Sequence, residues 1–137
     1  MIMKKPVTLI VEDNQSYRHE IRDLLTSQFP AMIVVEAADG NEALSKVEEC
    51  QPSFIFMDIA LPGENGLSLT RKIKSSHPNI TIAILTNYDW VEYKEAAQES
   101  GADHYLVKGQ TSLREITSLF QSQGTLNPCT YYSEQTN

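Results

Sequence analysis

Phe54-Ile55-Phe56-Met57-Asp58-Ile59-Ala60-Leu61-Pro62-Gly63-Glu64-Asn65-Gly66 is the stretch on which the reading of this chain turns. Its first four residues are apolar without interruption, so they do not alternate as a half-buried strand does. They read as a strand covered on both faces. Asp58 follows at once, Pro62 through Gly66 supply turn chemistry, and a helical period then begins with Leu69 and Ile73. A doubly buried strand that ends on a carboxylate and leads through a turn into a helix is one unit of a parallel α/β sheet.

The same unit recurs on either side. Short apolar runs occur at Val7 to Val11, Met32 to Val35, Ile80 to Leu85 and His104 to Val107, and none alternates strictly. Between them lie segments with apolar residues three and four apart: Tyr17, Ile21, Leu24 and Leu25; Leu44 and Val47; Tyr93, Ala96 and Ala97; Leu113, Ile116 and Phe120. Asp39-Gly40 precedes the second helix and Gly101 closes the fourth. The expected architecture is a (βα)5 doubly wound parallel sheet in the flavodoxin-like strand order 2-1-3-4-5, formed by residues 1–123. After Phe120 the apolar period stops, and residues 124–137 read as a polar tail or the start of a linker.

In an open α/β sheet, function gathers beyond the carboxyl ends of the strands. Here the first strand ends at Glu12-Asp13, the third at Asp58, the fourth at Thr86 and the fifth at Lys108. The second, an edge in the expected order, ends in the chemically bland Glu36-Ala37-Ala38. The other four therefore bring three carboxylates, a hydroxyl and an ammonium around one crevice. A close carboxylate pair repels by about 4 kcal/mol at roughly 4 Å under an effective dielectric near 20, so a cation belongs among them. Magnesium suits oxygen donors and uses one or two carboxylates together with phosphate oxygens. Beside such an ion Asp58 can act as a nucleophile toward activated phosphorus, with Lys108 and Thr86 holding phosphoryl oxygens.

Composition agrees. With 18 acidic against 11 basic side chains the net charge is −7, which repels nucleic-acid phosphates and directs attention to cations and proteins as partners. Cys50 and Cys129 are far apart and lack metal-ligand spacing, which argues against a disulfide framework or zinc site. No run of about 18 apolar residues occurs to span a membrane. Met1-Ile-Met-Lys-Lys-Pro lacks the apolar stretch of a signal peptide, and the expected setting is the cytoplasm. His19, His77 and His104 fall on different elements and form no ligand cluster. Tyr88, Trp90 and Tyr93 could serve as core, rim or partner-facing aromatics.

Val11-Glu12-Asp13-Asn14, Phe56-Met57-Asp58-Ile59-Ala60-Leu61-Pro62-Gly63, Leu85-Thr86 and Tyr105-Leu106-Val107-Lys108 together resemble a response-regulator receiver domain of two-component signalling, over about residues 6 to 123. The resemblance implies that Asp58 accepts phosphate from the phosphohistidine of a sensor histidine kinase, or slowly from acetyl phosphate. It implies Mg2+ ligated by Asp13, Asp58 and the backbone carbonyl of Ala60, with Glu12 acting through water, and Lys108 paired with the phosphoryl group. It further implies a switch in which Thr86 swings toward the phosphoryl oxygens and Tyr105 turns inward, altering the helix 4, strand 5 and helix 5 surface. Apart from this magnesium-dependent phosphorylation and dephosphorylation of one aspartate, no enzyme activity is implied.

Two positions depart from the pattern. Asn87 stands where the family more often has a small residue, which puts donor access in doubt. Gly109 replaces a frequent proline and resembles regulators whose output is a LuxR-type helix-turn-helix, as do Gly124 and Tyr132-Ser133 more loosely. On that likeness the chain is the receiver of a longer transcription regulator, touching DNA only through an output domain and pairing as a homodimer on phosphorylation. The alternative is a stand-alone receiver, or a pseudo-receiver that binds partners without phosphorylation. A phosphohydrolase with an aspartate nucleophile would place a second aspartate where Ala60 stands.

Overall fold

The computed structural model describes residues 6–123. Five strands, β1 (Val7–Val11), β2 (Ile33–Ala37), β3 (Phe54–Met57), β4 (Thr81–Thr86) and β5 (His104–Val107), alternate with five helices. These are α1 (Gln15–Gln28), α2 (Gly40–Cys50), α3 (Gly66–Ser76), α4 (Val91–Glu99) and α5 (Leu113–Gln123). All four strand pairings are parallel, in the order β2-β1-β3-β4-β5. This is the expected order. The residues of the expected tail, 124–137, lie outside the described part.

The uninterrupted apolar runs are explained by two cores, one on each face of the sheet. Leu9, Val11, Ile55, Met57, Ile82 and Ile84 point to one face and meet Ala43 and Val47 of α2, Leu69 and Ile73 of α3, and Ala97 of α4. Their strand neighbours Ile10, Phe54, Phe56, Ala83 and Leu85 point to the other and meet Ile21 and Leu25 of α1 with Ile116 and Phe120 of α5. Phe120 anchors the second core, its ring centroid 4.5 Å from Phe54 and 5.4 Å from Phe29. Full burial of one such side chain contributes roughly 1.5–3 kcal/mol. β1, β3 and β4 are buried along their whole length, whereas the edge strands β2 and β5 are only partly covered.

Strand limits differ from the sequence reading at two places. β2 begins one residue later than expected and runs on to Ala37, because Ile10 and Val11 of β1 pair with Glu36 and Ala37. Backbone pairing is indifferent to the charge on Glu36, where an apolar-run criterion stops. β4 likewise extends to Thr86, which pairs with Val107. α1 and α3 start at the carboxyl rim and are capped there by Asn14 and Asn65, whose side chains accept from Tyr17 N–H (3.0 Å) and Leu67 N–H (2.7 Å). α4 has no side-chain cap. Asp89 bonds instead to Lys94 (2.9 Å) and Gln110 (3.1 Å). None of the described helices is long and apolar enough to cross a membrane.

Candidate functional site

Strand register aligns the site. Val11 pairs with Met57 and Met57 with Ile84, so Glu12, Asp58 and the end of β4 emerge side by side at the carboxyl rim. The Asp58 N–H donates to Val11 O (3.1 Å), and the Lys108 N–H donates to Thr86 O (2.7 Å). Asp58 and Lys108 are thus fastened by their backbones to the neighbouring strand ends.

Glu12, Asp13 and Asp58 each offer a carboxylate oxygen, and these oxygens lie within 4.8 Å of one another. Glu12 and Asp58 are buried, Asp13 exposed. The Lys108 ammonium donates to Glu12 Oε1 (2.5 Å) and to Asp58 Oδ2 (3.1 Å), bridging the two buried acids. On the Glu12 carboxyl, burial acts most strongly and pushes its pKa up. Hydrogen bonds from Lys108 and from the Asn14 N–H (2.9 Å) oppose that, while the Asp58 charge adds to it. For Lys108 burial acts downward, but the hydrogen bond to Glu12 and the charges of Asp58 and Glu12 outweigh it, and the net shift is up. The Glu12 shift is thus chiefly an effect of burial, and the Lys108 shift an effect of the two acids beside it. Three ionised carboxylates against one ammonium leave two negative charges, the complement of one divalent cation. Hard oxygen donors of this kind fit magnesium.

The other expected residues are found around this cluster. Ala60 is exposed two residues past Asp58, and its N–H donates to Asp58 Oδ1 (3.4 Å). Thr86 is buried, and its hydroxyl accepts from the Tyr88 N–H at 3.5 Å without any hydrogen bond to Asp58. The half-buried Tyr105 donates its hydroxyl to Tyr88 O (2.6 Å), and its pKa is pushed up to about 12 by burial and then by the Asp89 charge. Tyr88, Trp90 and Tyr93 stack, with centroids 4.6 Å apart for Tyr88 and Tyr93 and 5.8 Å for Trp90 and Tyr93. Trp90 is 65% exposed, so this stack is rim rather than core.

Four residues of the site escaped the sequence reading. Tyr17, read only as part of an inward stripe, lies under Lys108, whose Nζ is 4.6 Å from the ring centroid. Arg18 donates from one nitrogen to Glu12 O (2.7 Å) and from another to Glu36 Oε1 (2.7 Å). Glu36, read as bland, also receives Arg22 (3.0 Å) and faces His19 (3.4 Å). Burial alone would raise its carboxyl pKa, but the Arg18 and Arg22 hydrogen bonds hold it below the usual range. Gly66, read as a turn residue, packs so closely that a Cβ there would stand 1.9 Å from Asp58 O. The alternation of apolar residues carries no sign of these meetings. The one available signal is that Arg18 falls one helical turn past the Asn14 cap.

A doubly wound parallel sheet with an acid cluster bridged by lysine at its carboxyl rim defines an α/β protein whose clustered carboxylates could hold a metal ion. The family model described as the response regulator receiver domain matches residues 8–121, and the chain belongs to that family. Oxygen regulatory protein NreC of Staphylococcus haemolyticus is 40% identical over 101 residues, which cover 73% of this chain and 46% of NreC. Response regulator protein VraR of Staphylococcus aureus is 34% identical over 110 residues, 79% of this chain and 51% of VraR. Among solved structures, a LuxR-family two-component response regulator from Aurantimonas sp. SI85-9A1 matches with a TM-score of 0.78 at 29% identity, covering 88% of this chain and 85% of that one. The BeF3-activated receiver domain of Klebsiella pneumoniae RstA matches at 0.76 and 26% identity, covering 82% of this chain and 94% of that one. The chain spans about half the length of the curated relatives it matches. It is a receiver domain of two-component response regulators.

Proposed function

We propose that Asp58 is the phosphoacceptor, and that Glu12, Asp13, Asp58 and the Ala60 carbonyl hold the magnesium ion beside it. The observation that carries this reading is the Lys108 ammonium bridging Glu12 and Asp58 within a cluster that Asp13 completes. One Asp58 carboxylate oxygen forms the new bond to phosphorus as the bond to the leaving group breaks. That leaving group is the imidazole of a sensor histidine kinase, which departs as a neutral histidine when its other ring nitrogen carries a proton, or acetate when acetyl phosphate is the donor. Magnesium, when bound, offsets the negative charge shared by the acceptor carboxylate and the incoming phosphoryl oxygens.

Lys108 is placed to move from a carboxylate oxygen to a phosphoryl oxygen with its charge intact. The Thr86 hydroxyl, engaged only by a long contact, is available to donate to the same group. Its displacement would loosen the Tyr88 N–H, and Tyr88 is the residue whose carbonyl Tyr105 holds. This is the physical content of the switch: a charge-assisted bond at Thr86 draws on the loop that fixes Tyr105, and the α4, β5 and α5 surface changes. The likeness to LuxR-family regulators supports a transcriptional output, reached through a DNA-binding domain and a homodimer formed on phosphorylation. In that reading residues 1–123 are the receiver and 124–137 a tail or the start of a linker.

Intact mass after incubation with acetyl phosphate and magnesium tests the chemistry. A gain of about 80 Da, one phosphoryl group, is expected, and it should vanish in Asp58→Ala and under a chelator. An unchanged mass, repeated with a competent histidine kinase, would mean a receiver fold used for binding alone.

A further inference from the structure

Every hydrogen bond described for the Glu12 side chain is made inside the site, to Lys108 and the Asn14 N–H, but its backbone carbonyl is held from outside it. Arg18 reaches back from the first turn of α1 and donates to that carbonyl at 2.7 Å. The guanidinium is itself fixed by Glu36 of β2, again at 2.7 Å, and only 13% of the side chain is exposed. Glu36 is fixed in turn by Arg22 on its other oxygen at 3.0 Å. The Glu12 N–H donates to Ala37 O at 2.9 Å, so both polar groups of this residue's backbone are committed. The peptide that the Arg18 fork grips is the one joining Glu12 to Asp13, the two acids contributed by β1.

We propose that Arg18 is a positioning residue for the cation site, its guanidinium, clamped by Glu36, setting the Glu12–Asp13 peptide against Asp58. The inference rests on the functional reading above. Arg18 touches no reacting group and acts through the backbone, as outer partners of metal ligands do. A planar fork is required because two acceptors, one just past β1 and one on β2, must be met at once. Lysine at this position would keep the charge and meet one of them. Arg22 supplies the internal comparison, since it shares Glu36 and its described hydrogen bonds go to Glu36 and Asp23, none to Glu12.

The test is calorimetric titration of the full chain with magnesium chloride at fixed ionic strength, paired with the initial rate of phosphoryl gain by intact mass at saturating magnesium. Arg18→Lys and Arg18→Gln should each weaken the magnesium dissociation constant about tenfold or more, the usual cost of losing an outer partner. Arg22→Gln should stay within about twofold of wild type, because its loss leaves the fork on the Glu12 carbonyl in place. The pair of Arg18 variants separates geometry from charge. Removing a cation alone would tighten magnesium binding in Arg18→Gln and leave Arg18→Lys unchanged, which would overturn the proposal. Equal weakening in Arg18→Gln and Arg22→Gln would overturn it too, by assigning the effect to general loosening of α1 on β2. A wild-type chain that neither binds magnesium nor gains mass sinks the functional reading and this inference together, whereas a competent wild type with unshifted Arg18 variants sinks this inference alone.

Discussion

Gly66→Ala is the change that most directly tests how α3 is seated on the site. Gly66 opens α3, and its N–H donates to Ile59 O at 2.8 Å. A methyl group placed there stands 1.9 Å from Asp58 O, 2.8 Å from Asp58 C and 2.9 Å from Ile59 Cα. All three neighbours are backbone, so no flexible side chain can yield, and the chains must part by about 1.1 Å to restore even a 3.0 Å contact. Overpacking of this kind costs about 1–3 kcal/mol and the strained hydrogen bond about 1 more, while the better helix former returns less than about 1, for a net loss of about 1–4 kcal/mol. For a domain of this length that lowers the melting temperature by about 4–16 °C. Parting the chains also moves Asp58 by about 1 Å, enough to slow phosphoryl uptake by about a hundredfold. Thermal melting followed by far-ultraviolet circular dichroism reads the first effect and intact mass against time the second. Gly63→Ala is the control: Gly63 has φ +82° with nothing within 4 Å of the added Cβ, so it bears backbone strain without touching Asp58. Melting of Gly66→Ala within about 2 °C of wild type, with normal phosphoryl uptake, would refute the close seating.

Three further predictions concern charge. Lys108→Met should abolish phosphoryl gain and destabilise the fold up to alkaline pH. Because the folded pKa of Lys108 is raised above 10.5, its contribution is full below that value and lost as pH rises through the folded pKa. Wild-type and variant melting curves should therefore converge at the alkaline end, and a constant gap there would contradict the assignment. Asp13→Asn removes one of three crowded carboxylates, so it should melt slightly higher than wild type without magnesium yet lose the stabilisation that magnesium gives wild type, about 2.7 kcal/mol at a hundredfold excess over the dissociation constant. Equal magnesium-induced shifts in the two proteins would remove Asp13 from the cation site. Glu36→Gln should cost about 0.5–1 kcal/mol at neutral pH. The folded pKa of Glu36 lies below 4.5, so this contribution is present above that value and fades as pH falls through the folded pKa. Chemical denaturation of both proteins at neutral and strongly acidic pH checks the trend.

Much of the fold was legible because a parallel sheet buried on both faces writes its strands as unbroken apolar runs. Phe54 to Met57 and Val7 to Val11 coincide with β3 and β1 for that reason. β2 was misjudged at its end because an edge strand tolerates a charged residue such as Glu36 on a face that a helix only partly covers. The acids and the lysine were legible because each follows a strand end directly, and parallel topology carries all such ends to one rim. Arg18 and Tyr17 reach that rim from a helix, where sequence spacing says which residues share a face and not what the face leans on. Gly66 was legible as a turn but not as a contact, since the atoms it approaches belong to a segment eight residues earlier.

A parallel sheet also has an idle end. All five strands enter from the rim opposite Asp58, where the exposed turn Pro78-Asn79 joins α3 to β4. None of the residues assigned to the cation, the phosphoryl group or the switch is found there. That turn is a natural place to open the chain, for a circular permutation or an inserted fluorescent reporter. A receiver rewired in this way would keep its chemistry at one pole while an engineer works at the other.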